Sequence, residues 1–358
     1  MNWLLENNEK VKKQADAGNL LFGTIDTYLL YLLTGLEVHA TEPSNASRTL
    51  LFDIHQGNWS SDLCEDFNVK RDFLPQVKDS FGEFGKTKGL SFLPDGIPIA
   101  GILGDQQAAL FGQACYLQGE AKCTYGTGSF MLVNTGKEPQ ISDNGLLTTV
   151  AYQHKDQLHY ALEGSCYIAG AAVQWLRDNL GFFKDSSEIE TLAKQVQSLD
   201  EMQHILFLPF FTGLGTPYWI SEAKGAILGI TRDTDKRHLS RACLDGIALS
   251  INDLFEAMQH DLGKPISNLK VDGGAVTNDL LMEIQSTISE TNIVRPQVIE
   301  TTAYGAALAA GVGSESITFD QIEELWKEDN VFQAKNSEVK FYQKKKIQWK
   351  ESIQKLYR

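Results

Sequence analysis

The stretch Ile97-Pro98-Ile99-Ala100-Gly101-Ile102-Leu103-Gly104-Asp105-Gln106-Gln107-Ala108-Ala109-Leu110-Phe111-Gly112 changes character halfway along. Its first half is a short apolar run with strand character, and its second half reads as an Ala/Leu/Phe helix. Between them stand one glycine and one acid, Gly104 and Asp105. Open α/β folds collect their ligands at the carboxyl ends of strands, so a carboxylate at such a turn is a candidate for catalysis. The same position lies at a helix N-terminus, where an acid satisfies orphan N–H groups and meets the helix dipole. From residue types alone, both readings of Asp105 stand.

The 358 residues suffice for two domains or one large α/β unit. Hydrophobic content of 42% and charged content of 22% are those of a soluble globular protein. A formal charge of −14 argues against a general nucleic-acid binder, because phosphate neutralisation needs clustered Lys and Arg. The basic run Lys344-Lys345-Lys346 stands in a mixed-charge tail and is expected to face solvent. The cysteines Cys64, Cys115, Cys123, Cys166 and Cys243 are odd in number and lack CxxC spacing, which points to a reducing compartment. The histidines form no HExxH pattern, so no structural zinc site is expected. With no apolar run of membrane-spanning length and no signal peptide before Asn2, the expectation is a cytoplasmic protein with no membrane partner.

Working outward, residues 1–17 read as one helix with Trp3, Leu4 and Val11 on its apolar stripe, ended by Gly18. Thr24 is placed to cap a second helix at 25–33, whose Leu29, Leu30, Leu32 and Leu33 leave little polar face, so it is expected to be buried on most sides. Residues 59–77 look helical again, broken at Pro75, and 86–96 form a loop. Lys122-Cys123-Thr124-Tyr125-Gly126-Thr127-Gly128-Ser129-Phe130-Met131-Leu132-Val133 is two strands joined by a Gly-Thr-Gly turn. Small residues there let backbone N–H groups and a hydroxyl close around an anion, although a plain hairpin needs no ligand. Strands are expected at 146–152 and 158–162, then a helix from Gly164-Ser165 through Leu176 carrying Gly170 and Gln174. A core strand at 205–211 precedes a long helix from Asp235 to about Leu262, with Leu239, Ile247, Ile251 and Leu254 at helical spacing. Leu269-Lys270-Val271-Asp272-Gly273-Gly274-Ala275-Val276-Thr277-Asn278 repeats the strand–glycine–helix pattern, and its paired glycines let a phosphate approach the backbone. Thr301-Thr302-Ala303-Tyr304-Gly305-Ala306-Ala307 begins a small-residue helix suited to tight packing, and the tail from Phe319 is charged helix and loop.

Three glycine-bearing turns plus Asp105 predict a nucleotide phosphotransferase or ATPase working between two lobes. Neither a Walker sequence nor a Gly-x-Gly-x-x-Gly fingerprint is present, which disfavours P-loop and Rossmann folds. Several strings resemble the FGGY carbohydrate kinases of the actin/hexokinase/Hsp70-like (ribonuclease H-like) superfamily. They are Leu20-Leu21-Phe22-Gly23-Thr24-Ile25-Asp26-Thr27, Ser44-Asn45-Ala46-Ser47-Arg48-Thr49, Gly104-Asp105-Gln106-Gln107, Thr124-Tyr125-Gly126-Thr127-Gly128, Phe211-Thr212-Gly213-Leu214-Gly215 and the Val271–Asn278 turn just quoted. Gly-Asp-Gln-Gln and Ser-Asn-Ala-Ser-Arg favour the glycerol kinases within that family over the xylulose, ribulose, gluconate or fucose kinases.

The resemblance implies an α/β fold of two lobes, residues 1–113 belonging to the first and 114–358 to the second, with a helical tail from about residue 312. It implies ATP and Mg²⁺ as cofactors and transfer of phosphate from ATP to glycerol; another small polyol or triose such as dihydroxyacetone is the alternative acceptor. Asp105 would be the catalytic base, with Gln106 and Phe130 holding the acceptor. Thr127, Gly170 and Gly274 would meet the ATP phosphates, and Gln174 and Asn278 would lie by the nucleoside; no metal ligand is assigned among the side chains. Family members begin with an Asp-x-Gly-Thr-Thr-Ser hairpin that is not found here, so the first lobe is expected to be incomplete and the second complete. On that expectation the chain alone is inactive, a nucleotide-binding remnant, or completed by a separate N-terminal fragment; the full-length family form would be a homo-oligomer. Ile220, Lys224 and Ser129 depart from the family's usual Asp, Arg and Cys.

Overall fold

The structure is a computed structural model and describes residues 1–357. Its centre is a seven-stranded mixed sheet. From one edge to the other the strands run Glu328–Phe332, Asn292–Pro296, Asn268–Asp272, Ala121–Tyr125, Ser129–Gly136, Gln157–Cys166 and Leu147–His154. Ala121–Tyr125, Asn268–Asp272 and Asn292–Pro296 are parallel, and every other neighbour pair is antiparallel.

Alternation along these strands gives the sheet two unlike faces. Cys123, Tyr125, Met131, Val133, Leu162 and Val271 are buried in a core shared with Leu244, Ile247, Ile251 and Leu254 of the 27-residue helix Lys236–Leu262. Asp235 caps that helix, its side chain accepting the Arg237 N–H at 2.9 Å. On the opposite face Leu132 and Ala161 pack with Leu110 and Phe111 of helix Asp105–Gly112.

The small-residue helix forms at Thr301–Gly313 and crosses Asp105–Gly112 at very close range. A Cβ on Gly305 would stand 1.8 Å from the Ala108 carbonyl oxygen, and one on Gly112 would stand 2.2 Å from that of Thr301. Only glycine permits the two backbones to approach so closely.

Several expected elements differ. The helix read at 1–17 is two, Asn2–Asn7 and Glu9–Asp16, because the Asn8 side chain accepts the Lys10 and Val11 N–H groups and starts a new helix. Helix Ile25–Leu33 has the expected extent, but the Thr24 hydroxyl bonds Asp26 instead of capping. Nor is that helix buried on most sides: Ile25 is 74% exposed, Tyr28 59% and Leu29 50%, while Thr27 and Leu30 alone are buried. It packs on one side, against Ala40–Thr41 and Phe81–Lys86.

The helix expected at 59–77 reduces to Ser61–Asp66 and a single turn at Arg71–Phe73, since Val77 pairs with Thr41 in a small parallel sheet. Gly164 and Ser165 do not open a helix; they are strand residues opposite Met131 and Phe130, and the helix starts at Gly170. In the tail, Glu328–Phe332 closes the edge of the main sheet against Asn292–Pro296, a strand that charged residues had concealed. Lys345 is buried, contrary to expectation, because helix Asn336–Tyr357 turns Tyr342, Lys345 and Trp349 inward and the Lys345 amine bonds the Ile205 carbonyl. Among the described residues no helix is long and apolar enough to cross a membrane.

Candidate active site

Strand Pro98–Gly101 leads into the turn that carries Asp105. The N-cap position belongs to Gly104, which offers no side chain, and Asp105 is the first residue of the helix proper. Its carboxylate is exposed and accepts the N–H of its neighbour Gln106 at 2.8 Å. The turn is clamped from beneath. Gly104 N–H donates to Ser44 Oγ at 2.8 Å, and Ser44 Oγ donates to Glu42 Oε1 at 2.5 Å. The fully buried Glu42 also accepts from the Ser44 and Asn45 N–H groups, the Asn45 amide and the Ser80 hydroxyl. Burial pushes the Glu42 carboxyl above its ordinary pKa, and these donors oppose the rise. Sequence reading missed Glu42; its signal was an acid one residue before the Pro43 that opens the short helix Pro43–Ala46.

Beyond Asp105 the sheet face under the helix is polar where the rest of the core is apolar. Cross-strand register sets Lys122 opposite Leu132, Thr124 opposite Phe130 and Asp272 beside Thr124. Glu163 stands opposite Leu132 on the next strand. Lys122 is fully buried, its amine donating to Gln106 Oε1 at 2.5 Å and to Thr124 Oγ1 at 2.8 Å. Glu163 is buried and receives a two-pronged contact from Arg48 at 3.0 and 3.2 Å. Asp272 accepts from the Gln113 amide at 2.9 Å, and Gln113 in turn accepts from the Trp326 indole at 3.0 Å. Phe130, a candidate acceptor contact, is 37% exposed and is the cross-strand partner of Thr124.

Where the strands end, a cavity of about 380 Å³ opens, which lies in the size range of small-ligand pockets. Gly170, Gln174, Gly274 and Asn278 all line it. Thr127 does not, but its neighbour Gly126 does. The Gly126–Gly128 turn is locked to the start of helix Gly170–Asp178: Gly170 N–H donates to Gly126 O at 2.9 Å, and Ala169 and Ala171 donate to Thr127 O at 2.8 and 3.0 Å. Those helix-start donors are thus already used, and the Thr127 side chain beside them is exposed.

Gly273 has φ +89°, a conformation that favours glycine, and it turns the chain from strand Asn268–Asp272 into the single turn Gly274–Thr277. A Cβ on Gly274 would meet nothing within 4 Å, so backbone there opens directly to the cavity. The Asn278 side chain caps helix Asp279–Ser289 through Leu281 N–H at 2.9 Å. Asp185, Ser186, Ser187, Glu190 and Thr277 add polar lining, and no motif marked the first four in advance. Asp105, Gln106 and Phe130 lie outside this cavity, along the polar face reached through strand Ala121–Tyr125.

Comparison with known proteins places the chain in a family. Residues 1–112 match the N-terminal domain of the FGGY family of carbohydrate kinases, and residues 121–314 match its C-terminal domain. Sequence of both domains is present, so the expected loss of part of the first domain is not supported by these matches. A protein named glycerol kinase from Bdellovibrio bacteriovorus is 50% identical over 338 residues, 94% of this chain and 68% of that protein. One from Bacillus anthracis is 46% identical over 355 residues, 99% of this chain and 71% of that protein. The crystal structure of Plasmodium falciparum glycerol kinase with ADP superimposes with a TM-score of 0.90 at 36% identity, over 99% of this chain and 70% of that one. A ligand-bound xylulose kinase from Lactobacillus acidophilus has a TM-score of 0.83 at 18% identity, over 99% of this chain and 72% of that one, a likeness of fold alone. An α/β fold of the actin/hexokinase type, and sequence matching both family domains over most of its length, make this chain a member of the FGGY family of carbohydrate kinases.

Proposed function

We propose that the chain transfers the γ-phosphoryl group of ATP to glycerol, giving glycerol 3-phosphate and ADP. The observation that carries this reading is the convergence of Gly126, Gly170 and Gly274 on one cavity, while Asp105 stands at a helix start over the neighbouring polar face. The identity of 46–50% to proteins named glycerol kinase supports glycerol as the acceptor. The structure with ADP supports an adenine nucleotide as the donor. A cytoplasmic location goes with this reading.

In this assignment the nucleoside lies by Gln174 and Asn278, and the phosphates lie at Gly170 and the open backbone of Gly274, with Thr127 next to the lining Gly126. The terminal hydroxyl oxygen of glycerol attacks the γ-phosphorus, the bond from that phosphorus to the β–γ bridging oxygen breaks, and the hydroxyl proton passes to Asp105. Gln106 and Phe130 hold the acceptor's hydroxyl and carbon face. Magnesium bound with ATP would supply charge neutralisation at the phosphates. It usually keeps several waters and takes only one or two protein carboxylates. No cluster of three ligating side chains exists among the described residues, so no side chain is assigned to the metal.

The test is an assay of the full chain with MgATP and a panel of glycerol, dihydroxyacetone, xylulose and gluconate, beside a calorimetric titration with MgADP. Turnover preferring glycerol is the expected result. Preference for a pentulose would overturn the acceptor assignment. Heat with MgADP but no turnover would make the chain a nucleotide-binding module, and the absence of both at millimolar ligand would end the reading.

A further inference from the structure

Lys122 has no part in the mechanism above, yet it is the one lysine buried at the centre of the sheet. It stands on Ala121–Tyr125 between Ala121 and Cys123, both buried in the apolar core. A lysine is almost never fully buried unless it is paired. Here the pairing is incomplete by ordinary standards, for the amine's hydrogen-bond partners are neutral: Gln106 Oε1 at 2.5 Å and Thr124 Oγ1 at 2.8 Å. Its charge is offset at longer range by Asp272, Glu163 and Asp105, which oppose the fall in pKa that burial causes. Glu163 is itself engaged by Arg48, and Asp272 by Gln113. A methionine, one atom shorter, would fill most of the space without a buried charge, so packing alone does not account for a lysine here.

What the amine does control is Gln106. A glutamine side chain offers an oxygen that accepts and a nitrogen that donates, and the two look alike in shape. An ammonium can only donate, so it selects the oxygen and turns the nitrogen away from itself. We propose that Lys122 is a positioning residue for the acceptor hydroxyl: by holding Gln106 Oε1, it presents Gln106 Nε2 as a fixed donor beside Asp105. This rests on the assignment of Gln106 to the acceptor under the proposed function. Thr124, opposite Phe130, is the second point that holds the amine in place.

The experiment compares the full-length wild-type chain with Lys122→Met, and with Lys122→Gln, which keeps a neutral donor and serves if the methionine variant does not fold. Losing one charge-assisted contact should raise the KM for glycerol roughly 10- to 100-fold in Lys122→Met, with a smaller rise in Lys122→Gln. The KM for MgATP should change by less than about twofold. A merely structural lysine would lower stability without splitting the two KM values. In a Gln106→Leu background, Lys122→Met should have no further effect on the KM for glycerol, since the lysine acts through that amide. An unchanged KM for glycerol, or an equal effect in the Gln106→Leu background, would overturn the proposal.

Wild-type turnover decides the functional reading separately. If the wild-type chain transfers nothing, the positioning claim is still read from glutamine-labelled NMR of the full chain. The Gln106 side-chain amide, assigned by its loss in Gln106→Leu, should give a distinct, shifted pair of signals in the wild type that collapses toward the free-amide position in Lys122→Met. The same signals in both would reject the role.

Discussion

At the scale of single residues, Asp105 and Gly274 separate chemistry from architecture. Asp105 is exposed, occupies the first helical position and leaves the cap position to Gly104. Asp105→Asn should therefore lower kcat by ~10²–10⁴-fold. Its unfolding free energy should change by less than about 1 kcal/mol, since Asn serves nearly as well as Asp near a helix start. Steady-state kinetics with glycerol and MgATP, beside a thermal melt, checks both; a fully active variant would return Asp105 to the helix-end reading. At Gly274 an added Cβ meets no protein atom within 4 Å and stands at the cavity. Gly274→Val should weaken MgADP binding by at least about tenfold by steric exclusion, with the nucleotide-free melting temperature little changed. Calorimetry reads the first number and differential scanning fluorimetry the second.

Among the elements, the crossing of Asp105–Gly112 and Thr301–Gly313 ties the helix bearing Asp105 to sequence nearly 200 residues on in the chain, as the numbering itself shows. Gly305→Ala weighs two effects against each other. Alanine gains about 1 kcal/mol of helix propensity over glycine. Its Cβ would lie 1.8 Å from the Ala108 carbonyl oxygen, a backbone atom that cannot swing aside, and overpacking of this kind costs ~1–3 kcal/mol or more. The clash wins. Urea unfolding should register a net loss, and because the partner helix begins at Asp105, kcat should fall as well. A variant more stable than wild type would mean that the two helices are not held at this distance.

For the molecule as a whole, the tail is bound to the core by buried polar groups. Trp349 Nε1 and Tyr218 OH both donate to Asp253 Oδ2, at 2.7 and 3.0 Å, and Arg241 donates to Asp245 and to Tyr342. Burial, opposed by those two donors, pushes Asp253 up from 3.8 to about 6. A carboxyl whose folded pKa is raised binds its proton more tightly when folded. Its contribution to stability is full below the unfolded value of 3.8 and is lost as pH rises through about 6. Asp253→Asn keeps an oxygen for both donors and never ionises. Relative to wild type, the variant should gain on the order of 2–3 kcal/mol between about pH 3.5 and pH 7. Urea unfolding at a series of pH values tests this, and parallel curves for the two proteins would refute it.

How much of this was legible in the sequence follows from the range of each signal. The strand–glycine–helix turns at Gly104-Asp105 and Gly273-Gly274, the Asp235 cap and the small residues around Gly305 each announce themselves within a few positions, because capping, tight turns and close helix packing are local demands. Gly170, Gln174, Gly274 and Asn278, singled out through the family resemblance, line one cavity. Where local propensity misled, pairing across the sheet won: Gly164 and Ser165 became strand opposite Met131 and Phe130, and the charged run at Glu328–Phe332 became a sheet edge. The exposure of Ile25, Tyr28 and Leu29 was likewise invisible, since amphipathic pattern tells which residues want burial and not whether a neighbour covers them. Only the tertiary structure could bring Arg48 to Glu163, Gln113 to Asp272 and Lys122 to Gln106. A charge in a sequence looks solvated by default. Whether it is buried depends on register and on partners 16 to 159 residues away, a choice made by the packing of the sheet and not by the neighbours along the chain.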